Sequence, residues 1–142
     1  MFECILVVCD GNICRSPTVA AMLKAERPEK IVLSAGLVGL EGHDMDETAR
    51  AVAASNNLEC GEHSGRKLTT DLCRDADLIL VMEARQRDRI IERFPEASGK
   101  TFLLSHWSGA RDIPDPYRRG REAFERIYPM MRQAVDAWLT KI

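Results

Sequence analysis

One stretch of the chain combines residue types that are suited to nucleophilic chemistry on an anion. Residues 9–17 read CDGNICRSP, with a cysteine at position 9 and an arginine at position 15. A cysteine thiolate is a strong nucleophile. The planar guanidinium of arginine can hold two phosphoryl oxygens at once, which the point charge of lysine cannot do. Cys9 and Arg15 therefore indicate attack by sulfur on a bound phosphoryl group.

The elements on either side of this stretch would place it at an anion-binding position. Residues 4–8 are all apolar, which predicts a central parallel strand covered on both faces. Pro17 is expected to begin a helix, since its missing N–H costs nothing in a first turn. Open α/β sheets bind ligands at the carboxyl end of a strand and against a helix N-terminus. Gly11 is expected to allow a conformation that turns N–H groups inward, and the helix dipole favours the thiolate of Cys9.

The rest of the chain alternates short runs of Val, Ile and Leu with longer segments of helical period, which is typical of an α/β fold. Further strands are predicted at residues 31–34, 78–82 and 101–104, helices at 46–56, 69–73, 83–94 and 121–141, and loops at 37–47 and 105–120. Asp46 is the expected N-cap of the second helix, and Thr69 or Thr70 that of the third. Pro129 is expected to kink the last helix, with a second helix start there as the alternative.

Right-handed crossovers between these elements predict a single domain over residues 1–142, with a four-stranded parallel sheet and helices on both faces. The composition fits one domain, with 45% hydrophobic residues, 30% charged residues and a formal net charge of -2. This charge offers no basic surface for nucleic acid, and the apolar runs are too short for stable membrane insertion. Five cysteines are an odd number for a disulfide framework, which favours reduced thiols and a cytoplasmic location.

Residues 9–17 resemble the signature of the low-molecular-weight protein tyrosine phosphatases. The likeness continues, in the order of that family, over nearly the whole chain. It includes SAG at 34–36, HSGR at 63–66, DLILVM at 77–82 and PDPY at 114–117. Leu40 and the pair Tyr117-Arg118 are most similar to bacterial members that act on tyrosine kinases of capsule and exopolysaccharide export. The expected partner is therefore a tyrosine-phosphorylated protein, in particular a tyrosine autokinase.

This resemblance implies a role for each matching residue. Cys9 would be the nucleophile that forms a phosphocysteine, Arg15 would bind the phosphoryl group and Asp115 would be the general acid. The residues that would bind the phosphate and support the loop are Gly11, Asn12, Ile13, Cys14, Ser16, Ser34 and His63. Leu40 and Tyr117 would form the walls of the substrate slot. The chemistry itself also asks for an acid, because a phenolate leaves more easily when a carboxylic acid donates a proton. No cofactor is expected, and no metal, because His43 and His106 lack a ligand spacing to any cysteine.

Two other interpretations remain open. A thiol-linked arsenate reductase resembles this chain in fold and nucleophile loop, but it passes electrons through a later pair of closely spaced cysteines, whereas Cys60 and Cys73 are well separated. A catalytically silent phosphotyrosine-binding module would have no use for Cys9, Arg15 and Asp115 together.

Asp10 departs from the pattern of the family, in which the residue after the nucleophile is usually apolar or uncharged. A carboxylate near a phosphate dianion would repel it and would disfavour a neighbouring thiolate. The side chain of Asp10 is therefore expected to point out of the loop into solvent and to pair with a nearby basic residue.

Overall fold

Four short strands and five α-helices alternate along the chain in the computed structural model, which describes residues 2–142. The strands are β1 (Cys4–Cys9), β2 (Ile31–Gly36), β3 (Leu78–Val81) and β4 (Thr101–Leu103). The helices are α1 (Arg15–Glu26), α2 (Glu47–Ser55), α3 (Thr70–Asp75), α4 (Ala84–Arg93) and α5 (Arg121–Leu139). Short 3-10 helices cover Pro95–Lys100 and Leu104–Trp107.

The strands form one parallel sheet in the order β2-β1-β3-β4. Successive side chains of β1 point to opposite faces of this sheet. Ile5 and Val7 pack with α1, α2 and α5, while Leu6 and Val8 pack with α3 and α4. Burial on both faces explains why β1 is so uniformly apolar. The predicted fold, one α/β domain with a four-stranded parallel sheet between helices, is confirmed.

Two boundaries beside the loop after β1 differ from those predicted. α1 begins at Arg15 rather than at Pro17, which lies in the first turn, where its missing N–H removes no intrahelical hydrogen bond. β2 continues past residue 34 to Gly36. A Cβ atom at Gly36 would lie 2.5 Å from the carbonyl oxygen of Asp10, so the close approach of β2 to this loop requires glycine.

Both predicted helix caps are present, and the structure decides between the two threonines proposed for the second one. The carboxylate of Asp46 accepts the backbone N–H groups of Thr48 and Ala49 at 3.0 Å each and so caps α2. Thr69, rather than Thr70, caps α3, and its hydroxyl oxygen accepts a backbone N–H at 3.2 Å. These caps hold the starts of both helices, since the first N–H groups of a helix have no partner within it.

α5 runs without interruption from Arg121 to Leu139, so a second helix start at Pro129 is wrong. The proline ring costs the helix one backbone hydrogen bond. Trp138 anchors the far end, because its Nε1 donates to the carbonyl of Leu104 at 2.7 Å. Neither α5 nor any other helix within residues 2–142 is long and apolar enough to cross a membrane.

The long loop between β4 and α5 crosses the carboxyl end of the sheet. It starts with the 3-10 helix Leu104–Trp107 and then returns over β3, where the N–H of Ile113 donates to the carbonyl of Met82 at 2.9 Å. This hydrogen bond holds the following segment, which contains Asp115, beside the loop that leaves β1.

Candidate active site

A cavity of about 200 Å³ opens at the carboxyl end of the sheet, against the loop that joins β1 to α1. Its lining comes from that loop, from the loop after β2 and from the loop before α5. The lining residues are Cys9, Asp10, Gly11, Ile13, Cys14, Arg15, Val38, Leu40, Asp115 and Tyr117. The cavity thus unites the three residues predicted for catalysis with the two predicted for the slot. Within residues 2–142, no group of His, Cys, Asp and Glu side chains is placed to hold a metal ion.

Cys9 lies at the end of β1, with 3% of its surface exposed. Its Sγ is 3.0 Å from the hydroxyl oxygen of Ser16, in the first turn of α1. The side-chain Nδ2 of Asn12 donates to the same hydroxyl oxygen at 2.8 Å. Because an amide N–H can only donate, the hydroxyl of Ser16 keeps its own proton, which it can donate to the sulfur of Cys9. The contact places a hydroxyl group within hydrogen-bond distance of the sulfur.

Asn12 holds the loop through every polar atom of its side chain. It is fully buried. Besides its bond to Ser16, Nδ2 donates to Oγ of Ser34 at 2.9 Å, and Oδ1 accepts the backbone N–H of Arg66 at 3.0 Å. The Nε2 of His63 donates to the backbone carbonyl of Asn12 at 2.5 Å. The residues predicted to support the loop are thus brought together around Asn12.

Gly11 does not have the special conformation predicted for it. The left-handed backbone of the loop falls on the next residue, Asn12, with φ of 61°, and Gly11 is not among the residues with positive φ. A Cβ atom at Gly11 would make only ordinary contacts, the nearest at 3.6 Å from the side chain of Leu40. Asparagine adopts left-handed φ more readily than most residues, because its short polar side chain can bond locally. The turn in the loop therefore depends on Asn12.

Arg15 is the first residue of α1, and its side chain is 2% exposed. Its Nη1 donates to Oε2 of Glu83 at 2.6 Å and to the carbonyl of Ile113 at 2.7 Å. Its Nη2 lies 3.5 Å from Oδ2 of Asp10 and 3.9 Å from Oδ2 of Asp115. A buried charge is tolerated only when it is paired and hydrogen-bonded. Nη1 is fixed by the protein, whereas Nη2 faces carboxylates that line the cavity.

Asp115 stands between Pro114 and Pro116, and its side chain is 43% exposed. Its Oδ1 accepts the backbone N–H of Tyr117 at 3.0 Å, which limits rotation of the carboxyl group. Its Oδ2 is left on the side of Arg15. The carboxyl group is therefore presented to the cavity by a stiff segment of the loop.

The sequence led us to expect that the side chain of Asp10 points into solvent, but it does not. Its side chain is 28% exposed and lines the cavity beside Arg15. The expected basic partner is present, since Arg85 of α4 binds both carboxylate oxygens, and Nε2 of Gln86 donates to Oδ1 at 3.1 Å. Burial opposes ionisation of this carboxyl group, but the hydrogen bonds from Arg85 and Gln86 outweigh it and lower the pKa of Asp10. The donors on α4 hold the carboxylate at the cavity wall.

Ile13 and Cys14, which precede Arg15, are buried, with 8% and 6% of their surfaces exposed. The carbonyl of Ile13 accepts the backbone N–H of Asp46 at 2.9 Å, which ties the loop to the start of α2. Burial, and then the negative charge of Asp46, raises the pKa of Cys14. Cys14 therefore stays a neutral thiol next to Cys9, and neither cysteine is in a disulfide.

Apolar and aromatic side chains surround the mouth of the cavity. The predicted slot residues Leu40 and Tyr117 are joined by Val38, which is 67% exposed and was not predicted. The guanidinium of Arg118 lies over the ring of Tyr117, 5.1 Å from its centroid. A cavity with a charged end and apolar walls suits a ligand that has an anionic head on an aromatic body.

A family model, that of the low molecular weight phosphotyrosine protein phosphatases, matches residues 4–142. The chain belongs to this family. The resemblance stated from the sequence is thereby confirmed. The protein is a phosphatase of the low-molecular-weight protein-tyrosine type.

Relatives of this phosphatase include several bacterial proteins. AmsI from Erwinia amylovora, described as a probable low molecular weight protein-tyrosine-phosphatase, is 44% identical over 142 residues, which cover 100% of this chain and 99% of AmsI. Wzb from Escherichia coli strain K12, a low molecular weight protein-tyrosine-phosphatase, is 46% identical over 138 residues, or 97% of this chain and 94% of Wzb. The structure of Vibrio vulnificus Wzb in complex with benzylphosphonate superimposes with a TM-score of 0.96, at 43% identity and 100% coverage of both chains.

Three polar residues that contact the site of this phosphatase were not predicted from the sequence: Glu83, Arg85 and Gln86. A signal for them existed. They directly follow β3, which neighbours β1 in the sheet, so their side chains start from the same edge as the loop of Cys9. The many charges of α4 hid this signal, because such a helix is typical of a solvated surface.

Proposed function

We propose that this phosphatase hydrolyses phosphotyrosine in proteins through a phosphocysteine intermediate. Cys9 is the nucleophile, Arg15 binds the phosphoryl group and Asp115 is the general acid. One observation supports this assignment above the others: a thiol, a guanidinium and a carboxyl group line the same small cavity. The hydrogen bond from Ser16 to Cys9 adds to it, since it stabilises the thiolate that must attack.

In the first step, the sulfur of Cys9 attacks phosphorus and a sulfur–phosphorus bond forms. The bond from phosphorus to the tyrosine oxygen breaks, and that oxygen takes a proton from the carboxyl group of Asp115. Tyrosine leaves as a neutral phenol, which is a far better leaving group than a phenolate. The guanidinium of Arg15 stabilises the equatorial oxygens as the transition state forms.

In the second step, the carboxylate of Asp115 accepts a proton from a water molecule, whose oxygen attacks phosphorus. The sulfur–phosphorus bond breaks, inorganic phosphate is released, and Cys9 returns to the thiolate. Ser16 again donates a hydrogen bond to this thiolate. The sulfur is therefore stabilised as a leaving group in the same way as it was stabilised as the nucleophile. The acid of the first step is thus the base of the second, as microscopic reversibility requires.

The rest of the loop positions the phosphate. We expect the backbone N–H groups of residues 11–15, including Gly11, Ile13 and Cys14, to donate to its oxygens together with the N-terminus of α1. Asn12, Ser34 and His63 hold the loop from behind through the hydrogen bonds described above. None of these loop residues needs to move a proton.

The slot favours an aromatic substrate. Leu40 and Tyr117 form its walls, and Val38 extends the apolar rim. Vibrio vulnificus Wzb, a relative of the same fold, binds benzylphosphonate, in which an aromatic ring carries an anionic phosphonate through one carbon. A phosphotyrosine side chain presents the same combination of ring and dianion.

The physiological substrate we propose is a tyrosine-phosphorylated protein, in particular a tyrosine autokinase of capsule or exopolysaccharide export. The similarity to AmsI and Wzb over essentially the full chain supports this choice. We expect the reaction to take place in the cytoplasm, because a catalytic thiol needs a reducing compartment.

Steady-state assays test this function against its alternatives. The purified protein should hydrolyse p-nitrophenyl phosphate and phosphotyrosine peptides in the presence of a chelator, and Arg15→Lys should lose most of the activity. Arsenate reduction supported by thioredoxin, without phosphatase activity, would instead identify an arsenate reductase. Binding of phosphotyrosine peptides with no release of phosphate would identify a silent binding module.

A further inference from the structure

One charged cluster at the cavity is not used by the mechanism above. Arg85, on the first turn of α4, binds both oxygens of the Asp10 carboxylate and lies 3.1 Å from Oε2 of Glu83. Its guanidinium therefore contacts two carboxylates, and both of them also approach Arg15. Arg85 is itself 58% exposed, so it closes this cluster from the solvent side.

A carboxylate at the position of Asp10 is a hazard for a phosphate site. Its Oδ2 is 3.5 Å from Nη2 of Arg15, the guanidinium nitrogen that the protein leaves toward the cavity. An unpaired carboxylate here would compete with phosphate for Nη2 and would repel a dianion across a few ångströms. The site can bind an anion well only if the charge of Asp10 is engaged elsewhere.

Two side chains of α4 bind the carboxylate of Asp10. Gln86 is fully buried, and its Oε1 accepts the backbone N–H groups of Met82 and Glu83 at 3.0 Å each, which fixes Nε2 toward Asp10. With Gln86 fixed, Arg85 completes a set of three donor contacts on the two oxygens of Asp10. The pKa of Asp10 is lowered accordingly, so these contacts are made to the anion.

We propose that Arg85 is a positioning residue that keeps Arg15 available to the phosphoryl group by binding the Asp10 carboxylate. The inference rests on the proposed function, because it concerns the anion that Arg15 binds there. It implies that the positive charge of Arg85 compensates the negative charge of Asp10. Loss of Arg85 alone should damage the site, and removal of the Asp10 charge as well should restore it.

Four proteins test this pairing: the wild type, Arg85→Met, Asp10→Asn and the double variant. The first readout is the dissociation constant of inorganic phosphate, measured by calorimetry at fixed ionic strength. Arg85→Met should bind phosphate about tenfold more weakly, the low end of what one charge does at this range. Asp10→Asn should bind it more tightly than the wild type. The double variant should return to within about threefold of the wild type, because the two charges are removed together.

The second readout is the pH midpoint of Cys9 alkylation by iodoacetate. It should rise in Arg85→Met and return in the double variant, which a merely structural role of Arg85 would not produce. Arg87→Met is the matched control, since it removes the same charge from the same helix on nearly the opposite side. Thermal unfolding of each variant verifies that it is folded.

Phosphate binding by Arg85→Met equal to that of the wild type would overturn the proposal, and so would a double variant as weak as Arg85→Met. Weaker binding by Asp10→Asn would also contradict it. These results differ from a failure of the proposed function, in which the wild type itself would neither bind phosphate nor hydrolyse p-nitrophenyl phosphate.

Discussion

The hydroxyl oxygen of Ser16 lies 3.0 Å from the sulfur of Cys9 and accepts a hydrogen bond from the side-chain amide of Asn12, so the hydroxyl proton can be donated to the sulfur. The orientation of the Asn12 amide is fixed in turn, since its Oδ1 must face the backbone N–H of Arg66. A chain of polar contacts therefore ends at Cys9. In the mechanism we propose, it would stabilise the thiolate at the start of catalysis and again when sulfur is the leaving group.

Removal of the Ser16 hydroxyl should therefore impair both steps. In Ser16→Ala, we expect alkylation of Cys9 by iodoacetate at neutral pH to slow by about tenfold, the equivalent of one charge-assisted hydrogen bond of about 1.4 kcal/mol. The rate of phosphate release at neutral pH should fall by about tenfold or more. Ser98→Ala, at an exposed serine away from the site, is the control. An unchanged alkylation rate in Ser16→Ala would mean that the hydroxyl does not stabilise the thiolate.

Asn12 should be the most costly residue of the loop to replace, apart from the reacting groups. Asn12→Ala removes the side-chain hydrogen bonds to Ser16, Ser34 and Arg66 and leaves buried polar atoms unsatisfied. We expect a loss of about 2 kcal/mol or more in the free energy of unfolding, measured with urea, and a large loss of activity.

A matched control for Asn12 exists elsewhere in the chain. Asn57 also has left-handed φ, 62° against 61°, but it is exposed. Asn57→Ala should lose less than about 1 kcal/mol and keep its activity. Equal losses in the two variants would show that the effect of Asn12→Ala comes from the backbone conformation rather than from the hydrogen bonds of Asn12.

The loss of rate on replacing Asp115 should be larger for poorer leaving groups. Asp115→Asn cannot donate the proton, so hydrolysis of phosphotyrosine should slow by about 10²–10⁴. Aryl phosphates with acidic phenols need less help and should be affected less. The measurement is kcat/KM over a series of leaving groups, because this ratio reports the step in which the phenol leaves and not the later hydrolysis of the phosphocysteine. A deficit that is the same for all of the leaving groups would remove the acid assignment.

Cys14 is expected to protect Cys9 from irreversible oxidation and not to take part in hydrolysis. Its raised pKa keeps it a thiol, so in Cys9→Ser it should resist iodoacetate at neutral pH. After mild peroxide, the wild type should form a Cys9–Cys14 disulfide and regain activity with dithiothreitol. Cys14→Ser should be active at first but should fail to regain activity. Equal recovery in both proteins would leave Cys14 as a packed thiol only.

The sequence was sufficient to predict the sheet and to single out three residues that the structure brings together at one cavity, because each leaves a local signal. β1 is apolar at every position since both of its faces are buried. Cys9 ends this strand, and Arg15 and Pro17 lie in the first turn of the helix that follows. Asp115 carries its own signal, a carboxyl group between two prolines on a long loop.

The errors concern features that depend on distant residues. The direction of the Asp10 side chain is decided by Arg85, 75 residues further along the chain, and no local pattern reports that contact. Gly11 and Asn12 are adjacent, and both residue types adopt left-handed φ, so the sequence cannot say which of them turns the loop. The Arg66 backbone and Ser34, which bond the side chain of Asn12, decide it.

In the mechanism we propose, the phosphoryl group passes through the sulfur of Cys9. Rapid quenching of the enzyme with excess p-nitrophenyl phosphate, followed by proteolysis and mass spectrometry, measures it directly. We predict a burst of p-nitrophenol and one phosphoryl group on the peptide that contains Cys9, with neither in Cys9→Ser. Turnover without a burst or a phosphorylated Cys9 peptide, or full activity in Cys9→Ser, would contradict the mechanism.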